Sequence, residues 1–357
     1  MFNSYNPKVS AVVLNYQGKG IIENCLKSII DNNYKNFEII FIDNNSNDGS
    51  YESGINILKT YKNKKIIHNF ANLGFTKGYN IGMHESSGDL ILLLNNDTII
   101  DKNAIVKYVD FFNNNKNVGM AEGRIINRIQ KIYGYTSDPE IINFFGLIHE
   151  ASGPVLDGDA FSKINRIYSP IGVWPMIRRD LYEKIGGYDD DFFMVEEIRD
   201  LSARVWLSGY EVGYVYDAIV YHIGRLTSAK KNYGTVQSDN LLFHATKNSI
   251  LFFMKNYQFK TQFKYIIPFC ALKIVDLFLS LIYSSKGDFK IKLRAYYYII
   301  INLKNILNKK KEVRKMRKVP DKVALKYLKP VINVNYLFKS QREFKKSRDR
   351  RIDSNKN

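Results

Sequence analysis

GDLILLLNNDTIID, residues 88–101, runs from glycine through an unbroken block of leucine and isoleucine and breaks off at Asn95, Asn96 and Asp97. A short apolar run bounded in this way reads as a strand buried on both faces, as in the middle of a parallel sheet. Its polar end then falls at the carboxyl edge, where open α/β sheets bind their ligands. Asp97 is thereby placed to hold a metal ion and, through it, a phosphate.

Working outward, the same pattern repeats. Residues 9–16 (VSAVVLNY) read as a first buried strand punctuated by Gly18 and Gly20, and Ile22, Leu26, Ile29 and Ile30 recur at helical spacing after it. Residues 37–42 (FEIIFI) form a second strand ending in the polar cluster Asp43 to Ser50. A helix over about 51–61 and a short strand at 65–68 continue the alternation. Strand and helix alternating at this pitch predict a doubly wound, mostly parallel sheet. In NLGFTKGYNIG, residues 72–82, the glycines at 74, 78 and 82 share one helical face. They serve either close packing on the sheet or backbone approach to a nucleotide. A helix over 103–113 and a strand over 118–126 follow.

Residues 127–170 are irregular and read as loop lining a site. Residues 172–188 then give a strand, a short helix from about Asp180, and a stop at Gly186-Gly187. Asp189, Asp190, Asp191, Glu196, Glu197 and Asp200 come just before an apolar-periodic helix. Acids there suit the positive end of the helix dipole, and can equally carry a general base. A strand over 212–221 ends in His222.

The net charge of +18 is concentrated at one end: residues 286–357 hold 23 Lys+Arg against 6 Asp+Glu, so the preceding chain is nearly neutral. A neutral body with a basic tail predicts contact with an anionic surface such as membrane headgroups, and no nucleic-acid groove. Two distant cysteines give neither a disulfide framework nor a zinc site. The first residues lack a signal-peptide core, so a cytoplasmic protein is expected, peripheral on the inner face of the cell membrane. Residues 265–283 (YIIPFCALKIVDLFLSLIY) approach the length of a span, but Lys273 and Asp276 fall inside it. Each would cost roughly 2.5–3.5 kcal/mol at mid-bilayer. An interfacial helix is predicted, assisted by the basic run 309–318 at about 1 kcal/mol per residue. The bland alternative is a packed helical subdomain with a solvated tail. The expected divisions are 1–226 (halves 1–126 and 127–226), a helical membrane-associating region 227–318, and a basic tail 319–357.

VSAVVLNYQGK, FIDNNSNDGS, NLGFTKGYNIG, LLLNNDT, GGYDDDFFM and DLSARVWLSGYEVGYVYDAIVYH, in this order and spacing, resemble glycosyltransferase family 2, rhamnosyltransferase-like branch, with the GT-A fold. The resemblance covers roughly residues 8–226. It implies an inverting transfer from a nucleotide-diphosphate sugar to a hydroxyl of a glycan or polyprenyl-linked glycan acceptor. Asp43, Asn45, Asp48, Asn72, Gly74 and Asn96 would line the nucleotide-sugar site, and Asp97 with His222 would hold Mg²⁺ or Mn²⁺. Trp174, Asp200 and residues 135–160 would contact acceptor. Relatives carry an adjacent acid pair whose second member is the base; here Glu197 is followed by Ile198, so Glu197, or next Glu196, is expected to take the role. The rival readings are a catalytically silent scaffold subunit, suggested by Ile198, and a nucleic-acid-binding protein, suggested by the tail alone.

Overall fold

The computed structural model describes residues 6–127, 165–223, 236–283 and 286–327. The described chain forms two compact units: residues 6–127, 165–223 and 316–319 in the first, and residues 236–283, 286–315 and 320–327 in the second. Residues 316–319, expected at the junction of helical region and tail, count with the first unit, where Lys318 N donates to Leu207 O at 2.7 Å.

The first unit is built on one eight-stranded sheet of order β3-β2-β1-β4-β7-β6-β8-β5. Its strands are β1 (Val9–Asn15), β2 (Phe37–Asp43), β3 (Lys64–His68), β4 (Leu90–Asn95), β5 (Thr98–Ile100), β6 (Val118–Asn127), β7 (Met176–Arg178) and β8 (Glu211–His222). β1 pairs in parallel with β2 and β4, β2 with β3, and β6 with β8. β7 runs antiparallel between β4 and β6, and β5 antiparallel to β8. The mixture has a plain cause at β5. A parallel neighbour needs a crossover of about a dozen residues. Only Asn96 and Asp97 separate β4 from β5, so the chain turns off the sheet centre and pairs with β8 instead.

Helices cover both faces of the parallel half. Val9, Ala11 and Val13 share a buried cluster with residues of α1 (Ile22–Ile30) and α4 (Ala104–Asn114). On α2 (Ser50–Leu58), a Cβ at Gly54 would lie 2.5 Å from the Phe41 ring. The opposite face takes α3 (Gly74–His84): a Cβ at Gly78 would fall 2.6 Å from Leu14, and one at Gly82 2.1 Å from Ile42. The glycines at 78 and 82 therefore serve close packing on the sheet. After β7 come α5 (Arg179–Lys184), a 3-10 turn at Asp190–Phe192, and α6 (Glu197–Leu207).

The second unit contains α7 (Val236–Asn256), α8 (Phe259–Tyr283), α9 (Lys286–Ile301), all but the last residue of α10 (Leu303–Met316), and α11 (Asp321–Leu325). The apolar helix expected at 265–283 begins earlier and carries Pro268 inside it. Its stretch Phe259–Ile282 is long and apolar enough, by length and composition, to cross a membrane. Both cysteines are free, Cys25 buried and Cys270 exposed.

Candidate active site at the strand ends

Parallel register brings the polar ends of three neighbouring strands to one level: Asn15 stands beside Asp43, and Leu14 beside Asn95. Their side chains form a buried chain of hydrogen bonds. Asn15 Nδ2 donates to Asp43 Oδ1 at 2.7 Å, and Asn96 Nδ2 donates to Asn15 Oδ1 at 2.8 Å. A Cβ at Gly18 would fall 2.2 Å from Asn15 Oδ1, so the loop after β1 closes over this chain only with glycine there. Asp43 also receives Ser46 N at 2.8 Å and Ser46 Oγ at 2.7 Å, and His68 Nε2 stands 3.6 Å away. Fully buried, with both oxygens engaged, Asp43 organises the loop after β2. Of the residues expected around the nucleotide, Asn45 and Asn72 are exposed and Asp48 is half-buried, whereas Gly74 and Asn96 are buried. Burial opposes the charge on the Asp48 carboxyl, but hydrogen bonds from Ser50 Oγ, Lys19 N and Ser50 N outweigh it and hold its pKa low.

Asp97 is not the last residue of its strand, as the sequence suggests. β4 ends at Asn95, whose carbonyl accepts Thr98 Oγ1 at 2.7 Å, and Asp97 sits in the turn this bond closes. Pairing of β5 with β8 then sets Thr98 opposite His222, and Ile223 N donates to Asp97 O at 2.9 Å. The result is His222 Nε2 at 3.2 Å from Asp97 Oδ1, both groups half-buried. A carboxylate and an imidazole so placed fit one edge of an octahedral Mg²⁺ or Mn²⁺ site, which usually keeps positions for phosphate oxygens and water. Among the described residues no group of three or more His, Cys, Asp or Glu side chains clusters into a fuller cage.

The third component is the segment from Tyr188 to Glu197. Phe193, Val195 and Glu196 all have positive φ, at 60°, 66° and 67°. Such conformations cost on the order of 1 kcal/mol or more for each non-glycine residue, and persist only where surroundings impose them. At Phe193 it is α3 that holds the chain. Phe193 O accepts Phe75 N at 2.8 Å and so caps the start of α3, while Asn80 Nδ2 donates to Tyr188 O at 2.9 Å and Asp190 Oδ1 at 2.8 Å. Gly74, at φ +79°, lies so near the Phe193 ring that a Cβ would fall 2.4 Å from it. Glu196 is spent on Arg199, whose Nη1 donates to it at 2.9 Å.

The strained turn delivers Glu197 as the first residue of α6. Glu197 is 9% exposed, and its Oε2 has no hydrogen-bond partner among the described residues. Burial, aided by the negative charges of Glu196 and Asp200 and opposed by its own backbone N–H, pushes the carboxyl up to about 7. The buried phenols of Tyr79 and Tyr188 feel its charge, and Tyr79 feels that of Asp97 as well. Tyr79 Oη in turn donates to Asn95 Oδ1 at 3.2 Å. Ile198, standing where relatives are expected to carry the second acid, is buried, and a Cβ at Gly172 would lie 3.3 Å from it. That position is therefore packing. The backbone of 171–174 is fixed by Glu122, a buried carboxylate accepting the N–H groups of Ile171, Gly172, Val173 and Trp174 at 2.6, 3.1, 2.9 and 3.3 Å.

Two expected acceptor contacts find other employment. Trp174 is fully buried, packed edge-on against Tyr108 with its indole N–H on Gly123 O. Asp200 is fully buried and receives Arg204 Nε and Nη2 at 3.0 and 2.8 Å. Neither presents a face to a sugar, because ring stacking and an internal ion pair consume them. Residues 135–160, the other expected acceptor contact, lie outside the described residues. Sequence reasoning missed Glu122, Tyr79 and Tyr188, which carry no motif beyond being polar groups in apolar surroundings.

Comparison with known proteins bears on the family and the fold. The family model described as Glycosyl transferase family 2 matches residues 10–186. Over that stretch the chain carries a domain of this family, and its fold is GT-A-like. It is 25% identical over 211 residues to poly-beta-1,6-N-acetyl-D-glucosamine synthase of Staphylococcus epidermidis, covering 58% of this chain and 47% of that one. It is 26% identical over 295 residues to probable glycosyltransferase YdaM of Bacillus subtilis, covering 77% of this chain and 68% of that one. The chain thus spans about half the length of the synthase it matches. Among solved structures, mannosyltransferase PcManGT from Pyrobaculum calidifontis, in complex with GDP-Man and Mn2+, superposes with a TM-score of 0.53 at 13% identity, covering 88% of this chain and 86% of that one. S. aureus TarS 1-349 in complex with UDP-GlcNAc gives 0.51 at 14% identity, covering 71% and 69%. At these identities the likeness is one of fold. Glu197 and His222 lie beyond the stretch matched by the family model.

Proposed function

We propose that this protein is a glycosyltransferase that moves a sugar, with inversion, from a nucleotide-diphosphate donor to a hydroxyl of a lipid-linked glycan in the assembly of a surface polysaccharide or glycoprotein. The observation that carries the reading is Glu197: a buried carboxyl poised at about 7, one oxygen unpartnered, at the end of a strained turn. A base tuned near the working pH is what general-base catalysis asks for. Glu197 takes the proton of the acceptor hydroxyl as its oxygen bonds to the anomeric carbon, and the nucleoside diphosphate leaves from the opposite side with the bonding electrons. Asp97 and His222 would hold a divalent cation, whose chemistry when bound is to neutralise the departing diphosphate. Asn45, Asp48 and Asn72 are the exposed or half-buried members of the donor site, and the buried chain Asp43–Asn15–Asn96 holds the loops that carry them. Complexes of neighbouring folds with GDP-Man and Mn2+ and with UDP-GlcNAc support the donor class. The Asn-Asn-Asp form of the strand-end motif favours the rhamnosyltransferase-like branch.

Ile198 favours one second reading, a silent binding subunit, since packing replaces an acid there. The Glu197→Gln variant decides between them. Loss of about 10²–10⁴-fold in turnover with donor binding unchanged is the expected result. A variant as active as the wild type removes Glu197 as the base, and a wild type that binds donor but never turns over makes the silent subunit the better reading.

A further inference from the structure

Helix α8 is amphipathic in the sense opposite to that of a helix on a water-soluble core. Its polar residues Gln262, Lys273, Asp276 and Ser280 turn inward. Gln262 Nε2 donates to the carbonyls of Phe253 and Met254, each at 2.8 Å, and Lys273 Nζ donates to Ser249 Oγ at 2.8 Å. Asp276 pairs with buried Lys292 of α9 at 2.7 Å, and Ser280 is fully buried. Its large exposed hydrophobics include Phe259, Phe263 and Ile267, then Ile274, Phe278 and Ile282, two i, i+4, i+8 series seven residues apart. Phe263 is 74% exposed, Ile267 79% and Ile282 67%. Tyr297, Ile300 and Ile301 repeat the arrangement on α9.

The charges that border this surface are basic. Lys260 and Lys264 are exposed beside Phe259 and Phe263 at the start of α8. Along α10, exposed Leu303 and Leu307 are followed at the same helical spacing by exposed Lys311 and Arg314. Apolar surface rimmed by cations is the pattern of a helix lying in the headgroup layer of an anionic bilayer. A spanning pose would instead carry Gln262, Lys273, Asp276 and their partners into hydrocarbon, where ionic groups are costly.

We propose that the outward face of α8, continued by α9 and α10, docks in the plane of an anionic lipid leaflet, with the pair Asp276–Lys292 and the bond Lys273–Ser249 keeping the helix polarity turned inward. The inference rests on the lipid-linked acceptor reading for its purpose, and its failure would leave donor binding untouched. The test is sedimentation of the full chain with vesicles of phosphatidylcholine alone and of about three parts phosphatidylcholine to one part phosphatidylglycerol. The wild type is expected to sediment with the mixed vesicles, less so at high salt, and to be released by alkaline carbonate. Phe263→Asp with Phe278→Asp should lower the partition by about tenfold or more, and Lys311→Glu with Arg314→Glu should remove the preference for anionic lipid. Both variants should bind nucleotide as the wild type does, which separates loss of docking from loss of the donor site. The proposal is overturned by a wild type that ignores both vesicles, by variants that bind undiminished, by resistance to carbonate, or by a vesicle-free dimer that the Phe263/Phe278 variant dissolves.

Discussion

Glu197 combines a position that favours its charge with surroundings that oppose it. As the first residue of α6 it stands at the positive end of a helix dipole, yet burial and two nearby carboxylates raise its pKa from 4.5 to about 7. A folded-state pKa above the unfolded value means that the folded protein holds the proton more tightly. Its contribution to stability is complete below about pH 4.5 and is lost as pH rises through about 7. The shift corresponds to a stability change on the order of 3 kcal/mol. Glu197→Gln, which cannot ionise, should therefore match the wild type in thermal melts near pH 4.5 and exceed it near pH 8. A wild-type stability that does not fall relative to the variant across this range would show that the carboxyl titrates normally. The proposed base requires the opposite trend in rate, with turnover rising through about pH 7 as the proton leaves.

At the level of elements, the segment that carries the proposed base depends on α3 more than on α6. Phe193 O, Asn80 and the Phe193 ring over Gly74 anchor residues 188–193, and Phe193 is thereby kept at a positive φ that non-glycine residues avoid. Gly74→Ala adds a methyl at φ +79° against that ring, and should lower stability by about 1–3 kcal/mol and turnover with it. Unchanged melting and kinetics would mean that the turn is held elsewhere. The parallel half of this architecture was legible from the chain because β1, β2 and β4 are buried on both faces and read as continuous apolar runs, and α1 and α4 keep a clean helical stripe. The acid at the end of the central run was legible too. Strand pairing was not legible in the local patterns, and only the family resemblance set His222 with Asp97. His222 meets Asp97 only because the short β5 crosses to β8, a long-range choice that no local pattern records. Nor does composition tell a tryptophan that stacks on sugar from one that packs on Tyr108, or an acid that faces substrate from one that Arg204 neutralises. Glu196 and Glu197 are equivalent as letters. Only the ion pair with Arg199 separates them.

At the scale of the whole molecule, the net charge of +18 resolves into a nearly neutral first 285 residues and a basic carboxyl-terminal end. The exposed basic residues of α10 continue a stripe that begins with exposed leucines, so charge and apolar surface belong to one feature there. The proposed donor site, by contrast, lies wholly within the first unit, at the carboxyl ends of β1, β2 and β4 and the β5–β8 pairing. Donor binding can therefore be measured without acceptor or membrane. Calorimetric titration with UDP, GDP and dTDP, with and without Mn²⁺, on the wild type and on Asp97→Ala, addresses the site directly. One nucleotide should bind in a metal-dependent manner that Asp97→Ala abolishes; binding of none in any condition, or binding indifferent to both the metal and Asp97, would contradict a donor site at these strand ends.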